Sequence, residues 1–181
     1  MKKGLLIAAG VLAVLIACVF LIGAMLPREH VASRSAELHV PAESVWVAIT
    51  DVGAFPSWRT ELSRIEQLPA RDGHAMWREH GEYGPMTFEA IEQNAPRRLV
   101  TRIADQDLGY GGEWAYDIAP TEGGSRITIT ENGWVNSPLF RFMSRFVFGQ
   151  TSTMETYLRA LGGRFGETVE PVEPLSVTSA G

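Results

Sequence analysis

Two neighbouring stretches decide the architecture: Glu113-Trp114-Ala115-Tyr116-Asp117-Ile118-Ala119 and Ser125-Arg126-Ile127-Thr128-Ile129-Thr130-Glu131, joined through Pro120-Thr121-Glu122-Gly123-Gly124. In the first, Trp114, Tyr116 and Ile118 alternate with Glu113, Ala115 and Asp117; in the second, Ile127 and Ile129 alternate with Arg126, Thr128 and Thr130. A period of two marks a strand with one buried and one wet face, and the short Pro- and Gly-bearing connection marks a hairpin. The pair is antiparallel, and its apolar side needs a cover.

The same grammar extends upstream. Turn chemistry at 69–73, 81–85, 94–97 and 105–112 separates candidate strands Ile65 to Leu68, Ala75 to Glu79, Met86 to Gln93 and Arg98 to Ile103, which lead into Gly111 to Ala119 and Ser125 to Val135. Short connections of this kind build an antiparallel meander. Before it, His30 to Val40 reads as a strand and Pro41 to Thr50 as a helix with Val45, Ala48 and Ile49 on one face. Asp51, Gly53 and Pro56 interrupt that helix and leave a short second helix or turn carrying Phe55 and Trp58.

After the meander, Ser137 is placed to cap a helix whose first turn holds Pro138. The spacing predicts one long helix from Pro138 to about Arg164, with Met143, Phe146, Val147, Gln150, Met154, Tyr157, Leu158 and Leu161 in a stripe. Such a helix requires a large apolar partner, and the concave face of the sheet is the available one.

The chain starts Met1-Lys2-Lys3 and runs uncharged and apolar from Gly4 to Leu26 before Pro27-Arg28-Glu29. As a helix this segment is about 35 Å long, enough to cross a hydrocarbon core of about 30 Å. Three readings stand: an uncleaved anchor, a cleaved secretory signal, and a lipoprotein signal in which Leu15-Ile16-Ala17-Cys18 precedes acylation of the sole cysteine. The length favours the anchor, because signal cores run to about 7 to 15 apolar residues. Lys2 and Lys3 favour a cytoplasmic N-terminus, and so a single-pass membrane protein with its C-terminal domain in the periplasm or outside the cell.

The division is an anchor over 1–27, one domain over 28–167 and a disordered Pro/Glu/Ser/Thr-containing tail over 168–181. The 181 residues carry a formal net charge of −5. Both lysines lie in the leading segment, so the domain sets only arginines against an excess of acids, which argues against a nucleic-acid partner. None of the four histidines, His30, His39, His74 and His80, pairs at ligand spacing, and no cysteine is near them, so no metal site is read. No cofactor motif is read either: Gly109-Tyr110-Gly111-Gly112 precedes a strand, not a helix, and suits a flexible access loop.

Three stretches carry a family resemblance: Val40-Pro41-Ala42-Glu43-Ser44-Val45-Trp46 through Pro56-Ser57-Trp58; Leu108 through Trp114; and Pro138-Leu139-Phe140-Arg141-Phe142-Met143 through Tyr157-Leu158-Arg159-Ala160-Leu161. With the element order they resemble the START-like (SRPBCC) superfamily, and within it the polyketide cyclase/dehydrase and lipid transport group. The resemblance implies an α+β helix-grip fold, a curved antiparallel sheet of about seven strands wrapped around a long C-terminal helix, plus one N-terminal transmembrane helix here. It implies a cavity for a hydrophobic small molecule or lipid, used in relatives for carriage or for ring closure.

Strand parity and the helix stripe give the lining expected of that cavity: Trp77, Phe88, Trp114, Tyr116, Ile118, Ile129, Met143, Phe146, Met154 and Tyr157. The ordinary alternative for each is plain core. Trp58 and Trp134 stand near loops, as gates or as caps. Parity also turns Glu131 and Glu79 inward, where a carboxylate with perturbed proton affinity is a candidate general base. The alternative is a structural ion pair, with Arg78 or Arg126 as partner. Binding without covalent catalysis is the leading expectation, a cyclase/dehydratase-like enzyme the second, and a non-catalytic envelope interaction protein the third.

Overall fold

The computed structural model describes residues 2–82 and 84–174. Helix α1 (Lys2–Met25) leads through Leu26, Pro27 and Arg28 into β1 (Glu29–Leu38). Helix α2 (Ala42–Thr50) and a 3-10 segment (Val52–Ser57) follow. The meander then comprises β2 (Leu62–Arg71), β3 (His74–Gly81), β4 (Gly84–Asn94), β5 (Arg98–Ile103), β6 (Tyr110–Thr121) and β7 (Gly124–Val135). The C-terminal part is α3 (Pro138–Met143), a π turn (Ser144–Phe148) and α4 (Ser152–Arg164).

The seven strands form one antiparallel sheet in the order β1-β7-β6-β5-β4-β3-β2. Strands β1 and β2 are its two edges, so α2 and the 3-10 segment carry the chain from one edge to the other. Register shifts at Ala90/Glu92 in β4 and at two places in β2 add the local twist that bends the sheet. Pro69 sits inside β2, where an edge strand tolerates its missing N–H.

Leu38, Leu99, Ile127 and Ile129 face inward and meet Val45, Ala48 and Ile49 of α2 and Met154, Leu158 and Leu161 of α4. Met154, Leu158 and Leu161 are each 0% exposed, and full burial of such a side chain is worth about 1.5–3 kcal/mol. This is the apolar seal that keeps α4 on the sheet.

The single long helix expected from Pro138 to Arg164 is instead broken. Gly149 adopts φ 79°, a left-handed conformation that ends the π turn, and α4 begins afresh at Ser152. The reason is visible in the residues: Gly149-Gln150-Thr151-Ser152 has weak helix propensity, and the apolar residues before it do not keep to one face. Only the second half of the expected stripe grips the sheet.

The expected tail also differs in its first part. After α4 the chain turns back, Val169 is buried in the core, and Val172 exchanges two backbone hydrogen bonds with Ser35 of the β1 edge. The remainder of that expectation, 175–181, lies outside the described residues. Helix α1 is long and apolar enough to cross a membrane, and the 18-residue apolar window within it is uncovered by the domain.

Candidate functional site

Sheet, α2, the 3-10 segment, α3 and α4 enclose a cavity of about 360 Å³. Pockets for small ligands span ≈ 300–1,000 Å³ and are mostly apolar, with a few polar groups that fix orientation. The apolar lining comes from Ile49 and Phe55 below, Trp77, Met86, Phe88 and Leu99 on the meander, and Trp114, Tyr116 and Tyr157 across it. Trp77 and Phe88 stack with centroids 5.8 Å apart, while Trp114, Tyr116 and Tyr157 form a cluster with centroids 5.7–6.0 Å apart.

Two polar groupings interrupt this wall. In the first, Arg59 Nη1 donates to Glu79 Oε1 at 3.0 Å and Trp77 Nε1 donates to the same oxygen at 3.1 Å. Arg59 Nε donates to Glu61 at 2.8 Å, and the guanidinium lies 5.3 Å from the ring centroids of both Phe55 and Tyr157. Burial works against the Arg59 charge, but Glu79 and the surrounding acceptors outweigh it and hold the guanidinium ionised. Burial pushes the Tyr116 and Tyr157 phenols above their ordinary range, so both hydroxyls keep their protons.

The second grouping is His30 and Glu131, at the end of the sheet from which α3 departs, with His30 Nε2 3.5 Å from Glu131 Oε1. Burial raises the Glu131 carboxyl above the usual carboxylate range, and His30 opposes that shift without cancelling it. A carboxyl in this state can hold or accept a proton inside an apolar chamber. Glu79, with its oxygen already shared by Arg59 and Trp77, is spoken for as an ion-pair partner.

The sequence-derived lining divides in two. Trp77, Phe88, Trp114, Tyr116 and Tyr157 stand on the cavity wall, as do both carboxylates. Ile129 and Met154 are fully enclosed core, and Ile118 faces a separate groove beside His39 and Pro96. Met143 and Phe146 leave the wall because the helix breaks; Phe146 is 59% exposed. Trp134 lines the cavity, whereas Trp58 is core, edge-on to Tyr157. The carboxylate partners differ too: Arg78 bonds Thr87 and Arg126 pairs with Glu37.

Arg59, His30 and Thr101 escaped sequence reasoning. Arg59 leaves a 3-10 segment with no periodicity to orient it, although Phe55 and Trp58 beside it signalled an inward-turned stretch. His30 reaches Glu131 through its register opposite Gly133, which the sequence alone does not specify.

The family model described as polyketide cyclase / dehydrase and lipid transport matches residues 29–165. No curated protein matches this chain. Among solved structures, a START superfamily protein from Mycobacterium smegmatis is similar at 19% identity and TM-score 0.60, over 75% of this chain and 96% of that one. Norcoclaurine synthase from Thalictrum flavum is similar at 14% identity and TM-score 0.60, over 77% and 87%. The di-domain ARO/CYC StfQ from the steffimycin biosynthetic pathway is similar at 10% identity and TM-score 0.61, over 76% of this chain and 52% of that one. At these identities the likeness is one of fold.

Proposed function

This chain belongs to the polyketide cyclase/dehydrase and lipid transport family, and from that premise we propose that it is a membrane-anchored binding protein that holds one hydrophobic small molecule or lipid in its cavity without a covalent step. The observation that carries the reading is the cavity of about 360 Å³ walled by aromatic and aliphatic side chains, with its Arg59–Glu79 pair already internally satisfied. The preferred ligand is an apolar molecule with one polar group, which the Tyr116–Tyr157 hydroxyl pair on the wall is placed to meet. Helix α1 is the anchor in this reading, with Lys2 and Lys3 on the cytoplasmic side and the domain exported.

Trp77, Trp114 and Trp134 report on the cavity directly, since all three line it. Titrating the purified full-length chain with long-chain fatty acids, isoprenoid quinones and polycyclic phenols should give a saturable, one-to-one change in tryptophan emission for at least one class. A flat response to every class counts against binding as the role. Protease access in intact cells, with a tag at either end, tests the topology.

A second reading, a cyclase/dehydratase-like enzyme, is favoured by one observation: the Glu131 carboxyl lines the cavity and its proton affinity is raised by burial. In that case Glu131 withdraws or returns a proton at a carbon next to a carbonyl. Glu131→Gln would then abolish turnover of a poly-carbonyl substrate while leaving ligand-induced tryptophan changes intact. Unchanged product formation excludes Glu131 as the base.

A further inference from the structure

The break that removed Phe146 from the cavity wall created something else. Leu139, Phe140, Phe146, Val147 and Phe148 are 37–61% exposed and crowd a segment of ten residues. Phe140 and Phe148 belong at once to this surface and to the cavity lining, so the apolar patch is the rim of the cavity. Between Glu131 and Glu155 there is no acid, and the only charges are Arg141 and Arg145, in a domain where acids outnumber bases.

The rim is also fastened to α1. Gly23 is the single buried residue of α1, and a Cβ there would lie 1.9 Å from the Pro138 carbonyl oxygen, so only glycine allows α1 to pack this closely on α3. Arg141 Nη1 donates to the Leu26 carbonyl at 2.6 Å, satisfying an acceptor that the end of α1 leaves free, and its Nη2 donates to Asn136 at 3.3 Å. A helix of 24 residues spans about 36 Å, so an α1 that crosses a core of about 30 Å brings Gly23 and Leu26 to its far boundary. The rim then sits at the depth where acyl chains give way to headgroups.

We propose that Leu139 to Phe148 seats in the leaflet next to the domain, so that the cavity opens onto lipid and its ligand is an amphiphile drawn from the bilayer, not from water. This inference rests on the reading in which α1 is retained as an anchor. Exposed aromatic side chains with no acid among them suit that depth, because rings settle at the interface and the exposed Arg145 guanidinium reaches anionic headgroups while Arg141 is held by α1.

The test uses the full chain carrying Cys18→Ser, with one cysteine introduced and labelled with an environment-sensitive fluorophore, in vesicles of phosphatidylethanolamine and phosphatidylglycerol. Three positions are compared: Phe146→Cys or Val147→Cys on the rim, Leu12→Cys in mid-α1, and Glu122→Cys at the β6–β7 turn, the opposite end of those strands. Lipids spin-labelled near the headgroup should remove most of the rim label's emission, lipids labelled deep in the chain should quench Leu12→Cys, and neither should affect Glu122→Cys. If the Leu12 label is quenched and both rim labels are not, the anchor stands and the inference falls. If the Leu12 label is not quenched either, the anchor reading fails and takes the inference with it. Rim labels shielded from both lipid quenchers and aqueous iodide would assign the patch to a protein contact and overturn the inference.

Discussion

Glu79 and Glu131 share a residue type, a sheet and a cavity, yet their surroundings give them opposite roles. Glu79 sits in a buried ion pair with Arg59, whose side chain is 14% exposed. Removing Glu79 leaves Arg59 with Glu61 alone, a loss of about 1–3 kcal/mol. Urea unfolding should therefore show Glu79→Gln destabilised on that scale, and an unchanged midpoint would mean that the pair contributes nothing. Glu131 lies the other way: its folded proton affinity is raised above the ordinary value of 4.5, so the stability tied to its protonated form is complete below that value and lost as pH rises through the raised one. Glu131→Gln has no such loss. Its stability relative to the parent should climb between acid and neutral pH, and parallel pH curves would contradict the assignment. Strand parity made the inward direction of both carboxylates legible; their partners, twenty residues away in Arg59 and on the neighbouring but sequence-distant strand β1 in His30, were not, because no local pattern encodes a long-range pair.

At the scale of elements, the sheet was the legible part and the final helix was not. Alternation in β6 and β7 fixed which face is buried, and the observed register, with Trp114 opposite Glu131 and Tyr116 opposite Ile129, follows it. The helical stripe looks continuous across Gly149 in sequence, since periodicity alone does not reveal where a weak-propensity stretch yields to tertiary contacts. The outer face of the sheet carries its own device. Glu89 of β4, 1% exposed, is enclosed by Arg71 of β2, His74 of β3 and Arg102 of β5, and so links four strands. The bonds from His74 and Arg71 hold its carboxyl down to about 2. A depressed carboxylate supplies stability above its unfolded value, and that stability drains away as pH falls through the folded one. Acid unfolding of the parent should thus steepen between about pH 4.5 and 2, whereas Glu89→Gln, weaker at neutral pH by on the order of 1–3 kcal/mol, should show a shallower slope there. Equal slopes would remove Glu89 from the acid response.

For the molecule as a whole, composition and pattern read out one anchor-like helix and one domain with a sheet and a covering helix, and the matched family spans 29–165 of it. The cavity itself had to come from coordinates. A void is the difference between the space a backbone encloses and the volume its side chains fill, and side chains that line a hollow look in sequence like those that fill one. Ile129 and Met154 fill; Trp114 and Tyr157 line; all four have the same inward periodicity and apolar character in sequence. The claim that this hollow holds a ligand is tested most directly by native mass spectrometry of the full-length chain after exposure to a total membrane lipid extract, beside Thr101→Trp, which places an indole in the space that Thr101 borders. A ligand-holding cavity gives a single apolar adduct on the parent that is lost from Thr101→Trp. A parent without any adduct, or an adduct kept equally by both proteins, means that the hollow holds no ligand.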